Sequence, residues 1–304
     1  MSKPSLSPAI PFATATLGIA FFSVMDVLMK DLSIAIGAYN AMLWRCMIGA
    51  VIGGAVFIAM RMPLPPRSTL KIHVIRGVLA APMATLFFWG LVRVPLAEAV
   101  ALSFIAPLIT LYLAAVLLKE TIGRNAIIAS FLGIAGVFVI LVGKLGSTFT
   151  DDAKWGVAAI FVSAVLYSCN LILQRRQAQV AKPLEIAFFQ SLIAAATLAL
   201  YAYWSEELEV VVPTPHYFPA LTGSAMLALI SLSLLSWAYA RAEAQVLVAV
   251  EYTAFIWAAI FGWWFFEEAV TLPTILGTAL IVTGCIIAAR QKPAQIDHIE
   301  ATAL

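Results

Sequence analysis

Ten apolar runs, each close to the length of a membrane crossing, occupy nearly all of this chain. They lie near residues 10–30, 40–60, 72–92, 96–118, 124–142, 155–174, 184–204, 217–240, 244–266 and 271–290. At about 1.5 Å of rise per residue, about 20 apolar residues cover a hydrocarbon core roughly 30 Å thick. The pattern predicts an all-α polytopic membrane protein of ten transmembrane helices, with no stretch between them for an extramembrane domain. Composition agrees: 63% of the 304 residues are hydrophobic, 11% are charged and the mean hydropathy is +0.99, whereas soluble domains carry about 25% charged residues. Lys3 ahead of an apolar run containing Ala13-Thr14-Ala15 has the outline of a cleavable signal. The apolar stretch continues well past that site, so an uncleaved first span is expected.

The chain also repeats itself. Shifted by 148 positions, Trp89 falls on Trp237, Arg93 on Arg241, Glu120 on Glu268 and Gly136 on Gly284, with 9 of the 52 positions from Trp89 to Ile140 identical and no gap. Two apolar segments reach that level easily, but four rare residues at one spacing mark a repeat. A softer echo at a shift of 145 sets Lys30 on Arg175, Trp44-Arg45 on Phe189-Gln190 and Ile48 on Ile193. Each half then holds five spans. Because five is odd, the second copy is inverted, and a pseudo-two-fold axis in the membrane plane is expected to relate the halves. The expected units are a first repeat over 1–143, an inverted repeat over 154–290 and a cytoplasmic tail over 291–304. Of the Lys and Arg residues, 13 fall on the side of the N-terminus and 4 on the other, with Arg45 left inside span 2. The positive-inside rule then makes both termini cytoplasmic.

Polar residues inside the spans are the candidates for function. Asp26 and Lys30 sit four apart, where a carboxylate and an ammonium can meet on one helix face; they read either as a pair closing the end of span 1 or as a carboxylate facing a substrate path. Span 2 opens with Asn40, Trp44 and Arg45, and Arg45 either snorkels to the surface or faces a cavity. Gly49 and Gly53 form a GxxxG step suited to close helix packing. Pro82 and Pro107 each free a carbonyl and are expected to kink spans 3 and 4. Glu251 lies about 10 Å deep in span 9, on one face with Val248, Tyr252 and Phe255; the repeat sets Ser103 opposite Glu251, Phe104 opposite Tyr252 and Pro107 opposite Phe255. Span 6 presents Ser163, Tyr167 and Asn170 at i, i+4 and i+7, and span 8 presents Ser233 and Trp237. Trp263 and Trp264 read as an interfacial aromatic belt. Cys46, Cys169 and Cys285 read as small packing residues.

Enzymatic readings find little support. The three histidines, His73, His216 and His298, lie near span ends or in the tail, without the HExxH spacing of a zinc helix, and no GxxxxGK[ST] run is present to hold nucleotide phosphates. An intramembrane acid protease needs two converging carboxylates, for which Asp26 and Glu251 are the available pair. No catalytic residue, metal site, cofactor or nucleic-acid partner is expected.

The segments Ala97-Glu98-Ala99-Val100-Ala101-Leu102-Ser103-Phe104, Pro107-Leu108, Leu118-Lys119-Glu120, and Tyr252-Thr253-Ala254 through Phe266-Glu267-Glu268 resemble the drug/metabolite transporter superfamily, specifically its ten-helix EamA-type exporters. The resemblance covers essentially the whole chain. It identifies Glu120 and Glu268 as the acidic residues closing spans 4 and 9, and Pro107 as the proline within span 4; Phe255 departs from the proline often found in the second repeat. It implies export of amino acids or other small metabolites across the bacterial inner membrane, by alternating access around a central cavity. The rings of Phe22, Phe87, Trp89, Tyr167, Trp237 and Tyr252 would suit an aromatic or other bulky apolar side chain. Asp26, Glu251 or both would meet a substrate ammonium or a coupling proton, with Trp44, Ser103 and Asn170 completing the candidate binding set. The alternative is a flippase for lipids or lipid-linked metabolites, which would require a lateral opening to the bilayer.

Overall fold

The computed structural model describes residues 9–118, 124–145, 150–205, 209–241, 250 and 252–289, and every regular element among them is helical. The helices are α1 (Ala9–Ile36), α2 (Ala38–Ala59), α3 (Arg67–Leu91), α4 (Leu96–Ser103), α5 (Ala106–Leu118), α6 (Arg124–Leu145), α7 (Asp151–Val180), α8 (Pro183–Trp204), α9 (Phe218–Tyr239), α10 (Thr253–Phe266) and α11 (Leu272–Ala289). Six of them, α1, α2, α3, α7, α8 and α9, are long and apolar enough to cross a membrane unaided. Shorter apolar stretches over Leu96–Thr110, Ser130–Gly143, Thr253–Phe266 and Leu272–Gly284 bring the spans to the expected ten, with α4 and α5 as two parts of one.

Local chemistry explains the boundaries. Gly37, at φ +82°, takes the turn between α1 and α2 in a conformation that a side chain would strain. Pro63, Pro65 and Pro66 hold the connection before α3 out of a helix, and Pro183 starts α8 at a first-turn position whose N–H has no intrahelical partner in any case. Thr150 caps α7 by accepting from the Ala153 N–H at 3.3 Å, and Asp151 and Asp152 occupy its electropositive first turn.

The two intrahelical prolines behave differently. Pro107 cannot donate to the Ser103 carbonyl, and the helix stops there: Phe104 and Ile105 turn back onto Ala101 and Leu102 at 3.2 and 3.3 Å before α5 resumes at Ala106. Pro82 is exposed inside the continuous α3 and causes no break. The expected end of span 6 at residue 174 is also corrected, since α7 runs on to Val180, almost two turns further, with polar residues that find partners on α3.

Packing follows the repeat. Helix α3 lies along α7 and α9 lies along α1, contacts that the repeat exchanges; α2 lies against α8, and α6 against α11, each a helix against its own equivalent. The last pair is antiparallel, with Gly143 meeting Pro273 near one end and Gly136 meeting Ile281 further along. A Cβ at Gly136 would strike the Gly277 carbonyl, and one at Gly277 the Gly136 carbonyl, so both positions require glycine for the backbones to approach. Gly49 and Gly53 do the same for α2 and α8: a Cβ would meet Ser191 Oγ at 3.0 Å and the Phe188 Cα at 3.3 Å.

Candidate functional site

The helices α1, α2, α3, α7, α8 and α9 line a partly open cavity of about 110 Å³, mostly apolar but with Arg45, Arg76, Tyr167, Asn170 and Gln190 beside Phe22 in its walls. Ligand pockets commonly measure about 300–1,000 Å³, so in this conformation the space suits a head group, and a bulkier substrate would require the helices to separate. The charged groups lining it are two guanidiniums, Arg45 and Arg76, accompanied by the amides of Asn170, Gln174 and Gln190 and the phenols of Tyr167 and Tyr239.

Arg76 is 1% exposed and is solvated by protein amides instead of water. Its Nε donates to Asn170 Oδ1 at 3.0 Å, Nη1 to Gln177 Oε1 at 2.5 Å and Nη2 to Gln174 Oε1 at 3.2 Å. These three acceptors recur at i, i+4 and i+7 on α7 and so form one stripe facing α3. With Gln177 Oε1 occupied, the Gln177 amide nitrogen must donate to His73 Nδ1, 2.5 Å away, which leaves His73 Nε2 to donate to Glu185 at 2.9 Å. His73 also stacks on Phe189 with ring centroids 4.8 Å apart. The chain from Arg76 through Gln177 and His73 to Glu185 thus joins opposite charges without direct contact.

Arg45 is the contrasting cation. Its Nη atoms reach only sulfur, at 3.6 Å from Met25, 3.0 Å from Met42 and 3.7 Å from Cys46, and sulfur is a weak acceptor. Its Nε is buried without a hydrogen-bond partner among the described residues. Asp26 is buried within the electrostatic reach of Arg45, and its Oδ1 is likewise unpartnered among the described residues, but Asp26 is not one of the residues that line the cavity.

The expected meeting of Asp26 with Lys30 does not form. Lys30, 3% exposed, instead pairs with Glu268 and donates to the Val94 carbonyl at 3.2 Å, with the Phe266 ring 4.8 Å away. Glu268 outcompetes Asp26 because it serves two donors: its other oxygen accepts from the Leu96 N–H at 2.7 Å, capping the first turn of α4. The acidic residue closing α10 therefore ties together α1, the start of α4 and the segment before α11. Its repeat equivalent, Glu120, lies outside the described residues.

Of the other candidate residues, Phe22, Tyr167 and Asn170 line the cavity, and Glu251 lies outside the described residues. Trp44 donates to the Val211 carbonyl at 2.9 Å, towards the connection after α8. Phe87 packs edge-on to Phe88, and Tyr252 edge-on to Phe104. Ser103 donates to the Ala99 carbonyl at 2.9 Å. Trp89 and Trp237 each carry an arginine over the ring, Arg93 at 3.5 Å and Arg241 at 4.3 Å, and in both pairs the guanidinium donates to the tryptophan carbonyl. The repeated Trp-x-x-x-Arg spacing is thus a cation–π clamp at a helix end. Trp263 and Trp264 are largely exposed.

Trp237 borders a second space, an apolar groove of about 580 Å³ along α1, α2, α8 and α9. Met226, Ile230, Ser233 and Trp237 of α9 face this groove, whereas Ala228, Leu232, Leu235 and Tyr239 face the cavity, so α9 separates the two.

Arg76, Gln174, Gln177 and the His73–Glu185 pair were absent from the candidates drawn from sequence. Arg76 counted there as a cation of the N-terminal side although it stands five residues into the run at 72–92. The available signal was the 170, 174, 177 amide stripe, hidden by ending that span at 174.

The sequence profile of the EamA-like transporter family matches residues 10–142 and again 154–290. The pseudopaline exporter CntI of Pseudomonas aeruginosa is 26% identical over 282 residues, 91% of this chain and 95% of that protein. An S-adenosylmethionine uptake transporter of Rickettsia prowazekii is 22% identical over 286 residues, 93% and 94% of the two chains. A riboflavin transporter of Rhizobium johnstonii is 25% identical over 223 residues, 72% and 70%. A solved crystal structure at 22% identity shares the fold, with a TM-score of 0.65 over 94% of this chain and 100% of that one.

Proposed function

The chain belongs to the EamA-like transporter family, and on that premise we propose that it exports amino acids, bulky apolar or aromatic ones in preference, or related small metabolites. Export would cross a bacterial inner membrane with both termini in the cytoplasm. The two halves, 1–143 and 154–290, alternate access to the central cavity, and the proton is the candidate coupling ion, with Asp26 and Glu251 its candidate carriers. The observation that supports this reading is the cavity between the halves, with polar side chains from both, Arg45 from one and Gln190 from the other, in its wall. Buried polar groups at a repeat interface are where inverted-repeat transporters hold their cargo. The relatives named above include both an exporter and an uptake transporter, so direction is part of the test. Proteoliposomes loaded with labelled L-phenylalanine, and then with each other common amino acid, should release at least one of them faster than empty liposomes; release of none removes the amino-acid reading.

The apolar groove beside α9 favours a second reading, a lipid or lipid-linked metabolite flippase, because its open, apolar lining of Ile52, Val56, Met226 and Leu229 is suited to a lipid tail. It shares no lining residue with the cavity between the halves, whereas a flippase needs a path for the head group joined to one for the tail. Scrambling of a fluorescent phospholipid in the same liposomes would select that reading over the first.

A further inference from the structure

Two residues that the repeat sets opposite one another, Arg45 on α2 and Gln190 on α8, are also two cavity residues whose polar atoms the protein leaves unmatched. Arg45 Nε is buried without a partner and its other donors reach only sulfur; Gln190 Oε1 is a buried acceptor without a donor. Both line the same cavity, and the helices that carry them pack against each other. Buried hydrogen-bonding groups are costly to leave unmade, and those that are unmade call for an explanation. Arg76, the other cation in the wall, has its donors directed to Asn170, Gln174 and Gln177, so Arg45 is the guanidinium whose fork is available to an incoming anion. Among the described residues no carboxylate lines the cavity; Asp26, the acid near Arg45, is not in its wall.

We propose that Arg45 docks the carboxylate of the substrate and that Gln190 Oε1 accepts from its ammonium group, making the cavity a site for an α-amino carboxylate head group. A planar guanidinium matches a carboxylate with two parallel N–H donors, and a neutral amide oxygen accepts from an ammonium without adding charge to the site. The departure from repeat symmetry, arginine at one position and glutamine at its equivalent, gives the cavity two unlike ends and so orients a dipolar head group. The volume of about 110 Å³ is suited to that head group, with the side chain directed to whatever space helix movement opens. The inference rests on the amino-acid reading above and names the groups that would carry it.

Three probes separate the parts: L-phenylalanine, 3-phenylpropionate, which lacks the ammonium, and phenethylamine, which lacks the carboxylate. Binding is measured by calorimetry on the purified full-length protein, with amino-acid flux in liposomes measured in parallel. Phenylalanine should bind best, 3-phenylpropionate about tenfold more weakly and phenethylamine weakest. Arg45→Gln should weaken both carboxylates at least tenfold and leave phenethylamine unchanged, while Gln190→Ala should weaken phenylalanine at least threefold and spare 3-phenylpropionate. If Arg45→Gln is not recovered as a monodisperse protein, Arg45→Lys, which keeps the charge but loses the fork, should weaken the carboxylates at least threefold. Wild-type protein that binds neither carboxylate overturns the inference, as does a recovered Arg45 variant that binds both as well as wild type. Binding of 3-phenylpropionate without flux of any amino acid removes the amino-acid reading and leaves the Arg45 dock standing.

Discussion

Arg76 and Arg45 are two guanidiniums in the wall of one cavity, and the protein treats them in opposite ways. Arg76 is surrounded by amide oxygens from one face of α7 and tied through Gln177 and His73 to the Glu185 carboxylate. Arg45 has three sulfurs and an unpartnered Nε. In hydrocarbon a charge persists only where dipoles or an opposite charge replace water. The first arginine has that replacement built into the fold, and its service is to hold α3 against α7. The second has the nearby Asp26 but, among the described residues, no hydrogen-bond acceptor better than sulfur, so a ligand that supplies the missing acceptor lowers its energy further. Burial alone therefore does not distinguish scaffold from site; the partners do.

Removing the scaffold charge should have the largest effect. Arg76→Met leaves Asn170 Oδ1, Gln174 Oε1 and Gln177 Oε1 without their donor, at about 1–3 kcal/mol for each buried orphan, and strips Glu185 of its balancing cation. The expected loss is about 3 kcal/mol or more, read as a lower unfolding temperature in detergent and a reduced yield of monodisperse protein. An Arg76→Met variant as stable as wild type would mean that the two arginines do not differ in kind.

The difference between them also marks how far sequence reading reaches. The spans and their repetition follow from one-dimensional quantities, a rise per residue and the coincidence of Trp, Arg, Glu and Gly at one spacing, and the helices sit where those quantities put them. The interruption at Pro107 is legible because the missing N–H is written in the residue itself, yet Pro82 carries the same deficit and faces outward in an unbroken helix. Partners are the part that sequence does not spell out. Asp26 stands four residues before Lys30, but the carboxylate that Lys30 finds is 238 positions away on Glu268, where a second donor at Leu96 tips the balance. Tyr167 and Asn170 were legible as cavity residues because their own helix presents them at helical spacing, and Phe22 as one of the rings suited to a bulky side chain. Arg76 was not, since what makes it structural is a stripe on a helix far along the chain.

A narrower change tests the link inside the scaffold. Gln177→Leu keeps Arg76 but removes the amide that both accepts from it and donates to His73 Nδ1. One guanidinium N–H and one imidazole nitrogen are then buried without partners, an expected cost of about 1–3 kcal/mol, smaller than that of Arg76→Met because Asn170 and Gln174 remain. Thermal unfolding of the two single variants and the double variant gives the coupling. Costs that simply add would show that Gln177 does not act through Arg76, and would confine the scaffold to the Asn170 and Gln174 contacts.

The smallest effect on stability is expected where the effect on function is largest. Arg45→Met places a third thioether beside Met25 and Met42 and removes a charge whose hydrogen bonds the fold does not complete. Its cost is the interaction of Arg45 with the buried Asp26, and Asp26→Asn in the same chain removes that cost by replacing the acid with a neutral amide. Replacing buried charges with groups of similar volume is commonly neutral, or stabilising by about 1–4 kcal/mol, so the double variant should unfold at or above the wild-type temperature while it loses both amino-acid flux and the binding of 3-phenylpropionate, the second of which reads Arg45 apart from any role of Asp26 in carrying protons. A double variant that is both less stable and still active would reverse the assignment, making Arg45 the structural cation and returning the search for a ligand partner to Arg76.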